Sequence, residues 1–347
     1  MQALTISEHG RLDRIELRDD IPVPALRATT EVLVRMRTAA VNHLDLFVVA
    51  GLPGSPLHRE WPLGADGCGV IDQVGSDVIG LRVGDRVVIN PGISDRSCEY
   101  CLAGEQPLCK HFGVLGEHYP GTMAEYVTVP ATNLRQIPAN VSDAEAAAFT
   151  LATLTAWRMV VTRAAVQDGE HVLIWGIGGG VAQAALRICV RRGATVWVTS
   201  SDDAKLARAR KLGAAETINH RGVDIGKVIR DRTGKRGVQV VVDSVGEATW
   251  AQSLGALGRG GRLVTCGGTS GPNLTTDVRR LFWNQWTIMG STMGNDAEFD
   301  AVVAELSAGC LRPVVDAVFP LAEGRAAFER LSRGSQFGKI VLEIGQA

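Results

Sequence analysis

His171-Val-Leu-Ile-Trp175 is an apolar, β-branched run that leads directly into Gly176-Ile-Gly178-Gly179-Gly180-Val181-Ala182, and a helical stretch continues from there to Arg192. Few folds accept that juxtaposition. A strand, a glycine turn and a helix in this order form a dinucleotide-binding context. The turn must be tight, the backbone must approach a pyrophosphate, and the helix N-terminus supplies N–H donors and positive potential. The strict G-x-G-x-x-G spacing is not met: its sixth position is Val181 counted from Gly176, and Gln183 counted from Gly178. Ala182 stands where a small residue lets helix and strand pack closely. A tight turn without a ligand is the alternative, and the flanking strand and helix weigh against it.

The next strand, Thr195-Val-Trp-Val-Thr199, ends at Ser200 and Ser201. A carboxylate roughly 20 residues past the loop would hydrogen-bond the ribose of NAD. Here small hydroxyls stand at the strand end and Lys205 follows, a set suited to a 2′-phosphate, so NADP is favoured over NAD. Asp202 and Asp203 weaken that preference unless they cap the following helix.

Strands and helices then alternate. Ala204 to Leu212 reads as a helix closed by Gly213, and Val238–Asp243, Gly261–Cys266 and Thr287–Met289 read as strands. This alternation predicts an α/β, doubly wound parallel sheet. The first third differs. Glu31–Arg37, Arg86–Asn90 and Ala124–Val129 are short strands, punctuated by Gly64, Gly67, Gly69, Gly75, Gly80 and Gly84, as in a sharply turning β-rich domain. The character changes at Ser142, where Ser142 and Glu145 form a capping-box pattern ahead of a helix through Thr155 and Trp157 toward Val161. From about Asn295 a short helix and a final strand, Lys339–Glu343, close the chain. The 347 residues suit two domains, and the 40 glycines belong to turns and close backbone approaches.

Charge narrows the partners. With 36 Lys+Arg against 37 Asp+Glu and no basic run, nucleic acid is not expected. No apolar stretch reaches the ~18–20 residues of a membrane span. Met1 to His9 lacks the basic and apolar regions of a signal peptide, so a cytoplasmic location and a small-molecule substrate are expected.

Three of the seven cysteines crowd into one loop, spaced D-x2-C-x2-C-x7-C at Asp95, Cys98, Cys101 and Cys109. Three thiolates and a carboxylate can surround Zn²⁺ tetrahedrally, leaving no position for water, so such a site would be structural. His111 competes as fourth ligand, and a metal-free loop of reduced thiols is the alternative.

The stretches Val41–Asp45, Gly64-Ala-Asp66-Gly67-Cys-Gly69, Gly113–His118, Leu154-Thr155-Ala-Trp157, Leu281–Gln285, Gly290–Gly294 and Phe337-Gly338-Lys339, with the cysteine lobe and glycine loop, resemble the medium-chain dehydrogenase/reductase superfamily. Within it the chain is similar to zinc-lobe alcohol dehydrogenase-like proteins near the quinone oxidoreductases. The resemblance implies a GroES-like β-rich catalytic domain from residues 1–152 and 295–347, with a structural zinc lobe at about 90–112, and a Rossmann domain at 153–294. It also implies a homodimer or tetramer paired through the edge strand in Trp286–Thr292, since an apolar sheet edge is a liability in a monomer.

The departures from the family narrow the chemistry. The positions of its three catalytic-zinc ligands fall on Asn42, Ala65 and Leu151, and the hydroxyl of its proton relay falls on Leu44. The lobe's usual first cysteine is Asp95. The resemblance places Asn42 beside nicotinamide and substrate, with Asp45 completing the N-x-x-D pattern of the zinc-free branch. It places His43 near the pyrophosphate and Thr155 on the nicotinamide. Asp243, Val245, Gly246, Cys266 and Gly267 border the cofactor, and Ser291 and Lys339 are further candidates. Asp45 and Asp66 read equally well as buried carboxylates paired with local N–H groups. The proton donor is left between His58, His43 and water, with His58 also readable as a surface-loop residue. Trp61, Trp283 and Trp286 read as packing.

The expected activity is NAD(P)H-dependent hydride transfer to an activated C=C bond or a quinone without a catalytic zinc. The alternatives are an alcohol dehydrogenase with an unorthodox site and a nucleotide-binding structural or regulatory protein with little turnover.

Overall fold

The computed structural model describes residues 1–52, 57 and 60–345. It divides into two units, Met1–Leu151 with Gly294–Ala347, and Ala152–Met293.

The first unit is organised by one long strand, Glu31–Val41. Val32, Val34 and Met36 are buried and Arg35 faces out, but Leu33 and the run from Thr38 to Val41 are buried as well, so most of the strand is covered on both faces. Antiparallel neighbours flank it on both sides, Asp66–Val74 and Lys339–Glu343. The sheet runs Leu134–Gln136, Arg86–Ile89, Asp66–Val74, Glu31–Val41, Lys339–Glu343, Val315–Pro320, with Tyr126–Pro130 also on Glu31–Val41. Aliphatic side chains dominate its core, among them Ile6, Val34, Leu63, Ile71, Ile89 and Leu342, with Phe328 contributed by the helix Gly324–Ser332.

The register decides what meets at one end of this sheet. Ala40 lies opposite Asp66, and Val41 opposite Ile340. Asn42, Asp66 and Lys339 are therefore brought together by strand pairing alone. The helix His43–Ala50 starts at the same point. The helix Asp143–Trp157 opens on the expected capping box: the Ser142 N–H donates to Glu145 Oε2 at 3.0 Å, and the Glu145 N–H to Ser142 Oγ at 3.2 Å. Sequence reading gave the tail only a short helix and a strand. The structure adds the strand Val315–Pro320 and a second helix, Gly324–Ser332. That strand is an edge strand of mixed exposure, so its sequence lacks a clean alternation.

The second unit holds six parallel strands in the spatial order Glu216–Asn219, Thr195–Ser200, His171–Ile174, Val238–Asp243, Leu257–Thr265, Thr287–Gly290. Numbered along the chain this is 3-2-1-4-5-6, the doubly wound order whose ligand crevice lies at the carboxyl ends of the strands where the order reverses. Val238–Asp243 is almost wholly buried, as a central parallel strand covered on both faces must be. The strand Glu216–Asn219 and the helix Ile225–Arg232 escape sequence reading. The strand is four residues long and polar at both ends, which leaves little periodicity to detect.

One glycine controls the entry to the strand that carries Lys339. Gly338 has φ +117°, and a Cβ built there would lie 2.2 Å from the Val314 carbonyl oxygen. The same carbonyl accepts the Lys339 N–H at 2.8 Å. Gly338→Ala is expected to cost about 2–4 kcal/mol through backbone strain and overpacking, seen as a calorimetric Tm several degrees lower; an unchanged Tm would refute this.

Candidate functional site

The centre of the site in the first unit is the fully buried carboxylate of Asp66. Its Oδ1 accepts from the Thr150 hydroxyl at 2.5 Å and from the Leu151 N–H at 2.6 Å. Its Oδ2 accepts from Asn42 Nδ2 at 2.9 Å and Lys339 Nζ at 2.8 Å. Four donors thus surround one anion, two of them on the helix Asp143–Trp157. The Lys339 ammonium is 5 % exposed and also donates to Asn42 Oδ1. The Asn42 amide has its second N–H on the Ala40 carbonyl. Removing either charge would leave the other buried and unpaired, at a cost of about 3–5 kcal/mol.

Asp45 sits one turn into the helix His43–Ala50. Its carboxylate accepts the Asn42 N–H at 2.7 Å and a backbone N–H from Gly64. Burial pushes its pKa up to about 7. His43 at the helix start is exposed. His58 lies outside the described residues. Trp61 is buried and donates to the Gly116 carbonyl.

The cysteine lobe is compact. The ligand atoms of Asp95, Cys98, Cys101 and Cys109 lie within 4.8 Å of one another, the one such group of three or more His, Cys, Asp or Glu among the described residues. Cys98 Sγ and Cys101 Sγ are 3.6 Å apart. A tetrahedron with Zn–S arms of about 2.3 Å has edges of roughly 3.8 Å, so the donor set fits zinc. The N–H groups of Cys98 and Ser97 hold the Asp95 carboxyl well below the usual carboxylate range, which keeps it anionic. His111, the competing ligand, instead bonds Asp95 Oδ2 through Nδ1 at 2.8 Å.

In the second unit Gly176 has φ +66°, and nothing but Val245 Cγ2, at 3.8 Å, approaches where its Cβ would be. The backbone turn is therefore bare. Gly178, Gly179, Gly180 and Val181 are half-buried, and Gly179 caps the helix Gly180–Arg191, whose first intrahelical N–H donor is Gln183. Gly176, Ile177 and Gly179 donate their N–H groups to Thr199 Oγ1, the Thr199 carbonyl and the Gly176 carbonyl, so it is the N–H groups of the helix's first turn, Gly180 to Ala182, that have no intrahelical acceptor. A dinucleotide's pyrophosphate fits this turn.

At the end of Thr195–Ser200, Ser200 is buried and Ser201 and Lys205 are half-buried. Asp202 caps the next helix, accepting from the Ala204 N–H at 2.8 Å, and Asp203 accepts from Asn219 Nδ2 at 2.9 Å. Both carboxylates are thus engaged locally. His220 is a neighbour that sequence reading did not name, because it follows the undetected strand Glu216–Asn219. Its N–H donates to the Ser200 carbonyl at 3.0 Å, and its buried Nδ1 has no hydrogen-bond partner.

Asp243 is a loop anchor. Its carboxylate accepts from the N–H groups of Val245 and Gly246 and from the hydroxyls of Thr249 and Ser253. Thr155 is buried with Oγ1 3.8 Å from Met293 Sδ. Ser291 is buried with its hydroxyl unpartnered. Cys266 is half-buried and followed by the exposed Gly267 at the end of Leu257–Thr265.

Comparison with known proteins places this geometry. Residues 28–139 match the family model described as alcohol dehydrogenase GroES-like domain, and residues 180–308 the one described as zinc-binding dehydrogenase. A crystal structure titled NAD-dependent alcohol dehydrogenase is 42 % identical with a TM-score of 0.94, over 99 % of this chain and 100 % of that one. A zinc-type alcohol dehydrogenase-like protein of Schizosaccharomyces pombe is 34 % identical over 94 % of each chain. Crotonyl-CoA carboxylase/reductase of Cereibacter sphaeroides is 30 % identical over 95 % of this chain and 84 % of its own. The chain belongs to the medium-chain dehydrogenase/reductase superfamily, with its GroES-like and Rossmann-type parts, and is an oxidoreductase of that superfamily.

The raised pKa of Asp45 has a measurable sign. Folded Asp45 keeps its proton up to about pH 7, against 3.8 for the ordinary group. Its contribution to stability is complete below pH 3.8 and is lost as pH rises through 7. Asp45→Asn has no such loss. Between pH 4 and 8 the stability of the native chain relative to D45N should therefore fall, by at most about 4 kcal/mol, in urea unfolding at several pH values. A pH-independent difference would show that Asp45 stays ionised in the fold.

Proposed function

We propose that the chain is an NAD(P)H-dependent reductase that delivers hydride to an acceptor already polarised, a quinone or an activated C=C bond, and that it works without a catalytic zinc. The observation that carries this reading is the Asn42–Asp66–Lys339 cluster. The family's ligand positions hold an amide, a methyl and an isobutyl group, at Asn42, Ala65 and Leu151. The carboxylate beside them has both oxygens engaged by four donors, and an ammonium lies 2.8 Å from it. A catalytic zinc needs three protein ligands, and this donor set does not fit one. Leu44 also removes the proton-relay hydroxyl. A simple ketone needs a Lewis acid or an equivalent, whereas a quinone or enone lowers that demand.

A bound nicotinamide cofactor supplies the hydride. Gly176, Gly178, Gly179, Gly180 and Val181 hold its pyrophosphate, and Ser200, Ser201 and Lys205 favour a 2′-phosphate. NADP is therefore preferred, although the 42 % identical crystal structure is that of an NAD-dependent alcohol dehydrogenase. Thr155, Val245, Cys266, Gly267 and Ser291 serve the nicotinamide half, with Asp243 fixing the loop of Val245 and Gly246. His43, exposed at its helix start, or water supplies the proton. Asp95, Cys98, Cys101 and Cys109 hold one structural zinc.

Metal analysis with turnover assays tests this. One zinc per chain is expected, with quinone- or enone-dependent NADPH oxidation that survives mild chelation. Two zincs, or activity lost with a removable metal, overturns it. Turnover of simple alcohols would favour the alcohol dehydrogenase reading, the activity for which the 42 % identical protein is named.

Pairing of two copies is part of the same reading. Thr287–Gly290 is a sheet edge, and the helix Val278–Asn284 before it exposes Phe282 at 63 % and Trp283 at 69 %, an apolar load that a second copy would cover. Light scattering at micromolar concentration should give at least a dimer mass; a monomer removes this part.

A further inference from the structure

Asp95 stands at the lobe's usual first cysteine, and a carboxylate is a poorer zinc ligand than a thiolate. It also has two oxygens on a rotatable bond, so it holds a metal well only when its own hydrogen bonds fix its plane. Three donors do this. Oδ1 accepts the N–H groups of Ser97 and Cys98, each at 2.9 Å, and Oδ2 accepts from His111 Nδ1 at 2.8 Å. A carboxylate has about four lone-pair sites, so these donors leave room for one metal bond.

Two of the donors are backbone groups beside Asp95 and follow from the local turn. The third comes from 16 residues downstream. The same residue touches the lobe again, since the His111 N–H donates to Cys109 Sγ at 3.3 Å. Cys109 Sγ also accepts the Asp95 N–H at 3.5 Å. His111 therefore joins the first ligand position to the last. A carboxylate can only accept, so the hydrogen of the Asp95 bond sits on Nδ1, and that nitrogen has no lone pair for a metal. His111 is also outside the group of four residues whose ligand atoms lie within 4.8 Å of one another. Arg96, the cation next to Asp95 in the chain, is directed elsewhere, to Asp296 and to Asn133 Oδ1.

We propose that His111 is a positioning residue of the zinc lobe: its Nδ1–H holds the Asp95 carboxylate in place as fourth ligand, which offsets the weakness of a carboxylate where a cysteine is usual. This rests on the structural-zinc reading above. The pair lies toward the surface, with the His111 side chain 66 % exposed and that of Asp95 17 %, so it adds little to the stability of the fold itself. Its effect is on how firmly the metal is held, as for other partners that orient a ligand from outside.

Zinc release from the full, zinc-loaded chain into excess 4-(2-pyridylazo)resorcinol, a chelating dye, tests this. His111→Ala should release zinc about tenfold faster or more, with an unchanged circular dichroism spectrum. His111→Asn places an N–H donor as far along the side chain as Nδ1 and should recover most of the native rate, which a space-filling role would not allow. Asp95→Cys supplies a thiolate that needs no such donor, and in that background His111→Ala should change the rate less than about twofold. X-ray absorption at the zinc edge should show the three sulfurs and one oxygen of the lobe, without imidazole, in the native chain and in H111A alike. An unchanged release rate in H111A, equal rates in H111A and H111N, or an undiminished effect of H111A in the D95C background overturns the proposal. So does imidazole bound to zinc in the native chain, which makes His111 a ligand. A native chain that takes up no zinc removes the lobe reading itself, whereas zinc held with a rate indifferent to His111 removes only this proposal.

Discussion

The first unit depends on one buried ion pair. A carboxylate and an ammonium with almost no solvent contact hold together the ends of three neighbouring strands, the start of the helix His43–Ala50 and the middle of the helix Asp143–Trp157. Such a pair contributes little net stability compared with apolar packing, yet breaking it is costly. That asymmetry makes it a specifier of arrangement. The strand register, the aim of the Asn42 amide and the path of the Thr150–Leu151 backbone are consistent only with one another.

The same pair draws together two of the three positions at which Asn42, Ala65 and Leu151 depart from the family pattern. Asp66 is the group through which the replaced ligand positions communicate: Asn42 donates to it by its side chain and Leu151 by its backbone. The lobe shows the opposite outcome, since Asp95 replaces a thiolate there and still offers an anionic oxygen among three sulfurs.

Much of this was legible in the sequence, for identifiable reasons. The glycine loop announces itself because a parallel strand must be apolar and a phosphate-binding turn must be bare, and Ser142 with Glu145 marks a helix start by complementary hydrogen bonds. The lobe is visible as spacing. The Asp66 cluster is not, because its members lie at residues 42, 66, 150, 151 and 339 and only the strand register unites them. Lys339 reads from the sequence as a cofactor candidate, and its partners within the chain emerge only when Val41 is seen opposite Ile340. Asp45 and Asp66 look alike as lone carboxylates; packing separates them, leaving one to backbone N–H groups and giving the other a buried counter-charge. His220 was hidden by a strand too short to show a period.

The discontinuity of the first unit carries over to how the chain is made. The nucleotide-type sheet is one continuous segment and can close as soon as it is synthesised. The other unit cannot, because Asp66 waits for a partner 273 residues downstream, in a strand that completes its sheet by pairing with Glu31–Val41. Until then Asp66 is an isolated carboxylate that must remain hydrated, and the exposed edge of Glu31–Val41 is a place where a nascent chain can go astray. On the ribosome the first unit is therefore the last to close, and its final lysine acts as the latch.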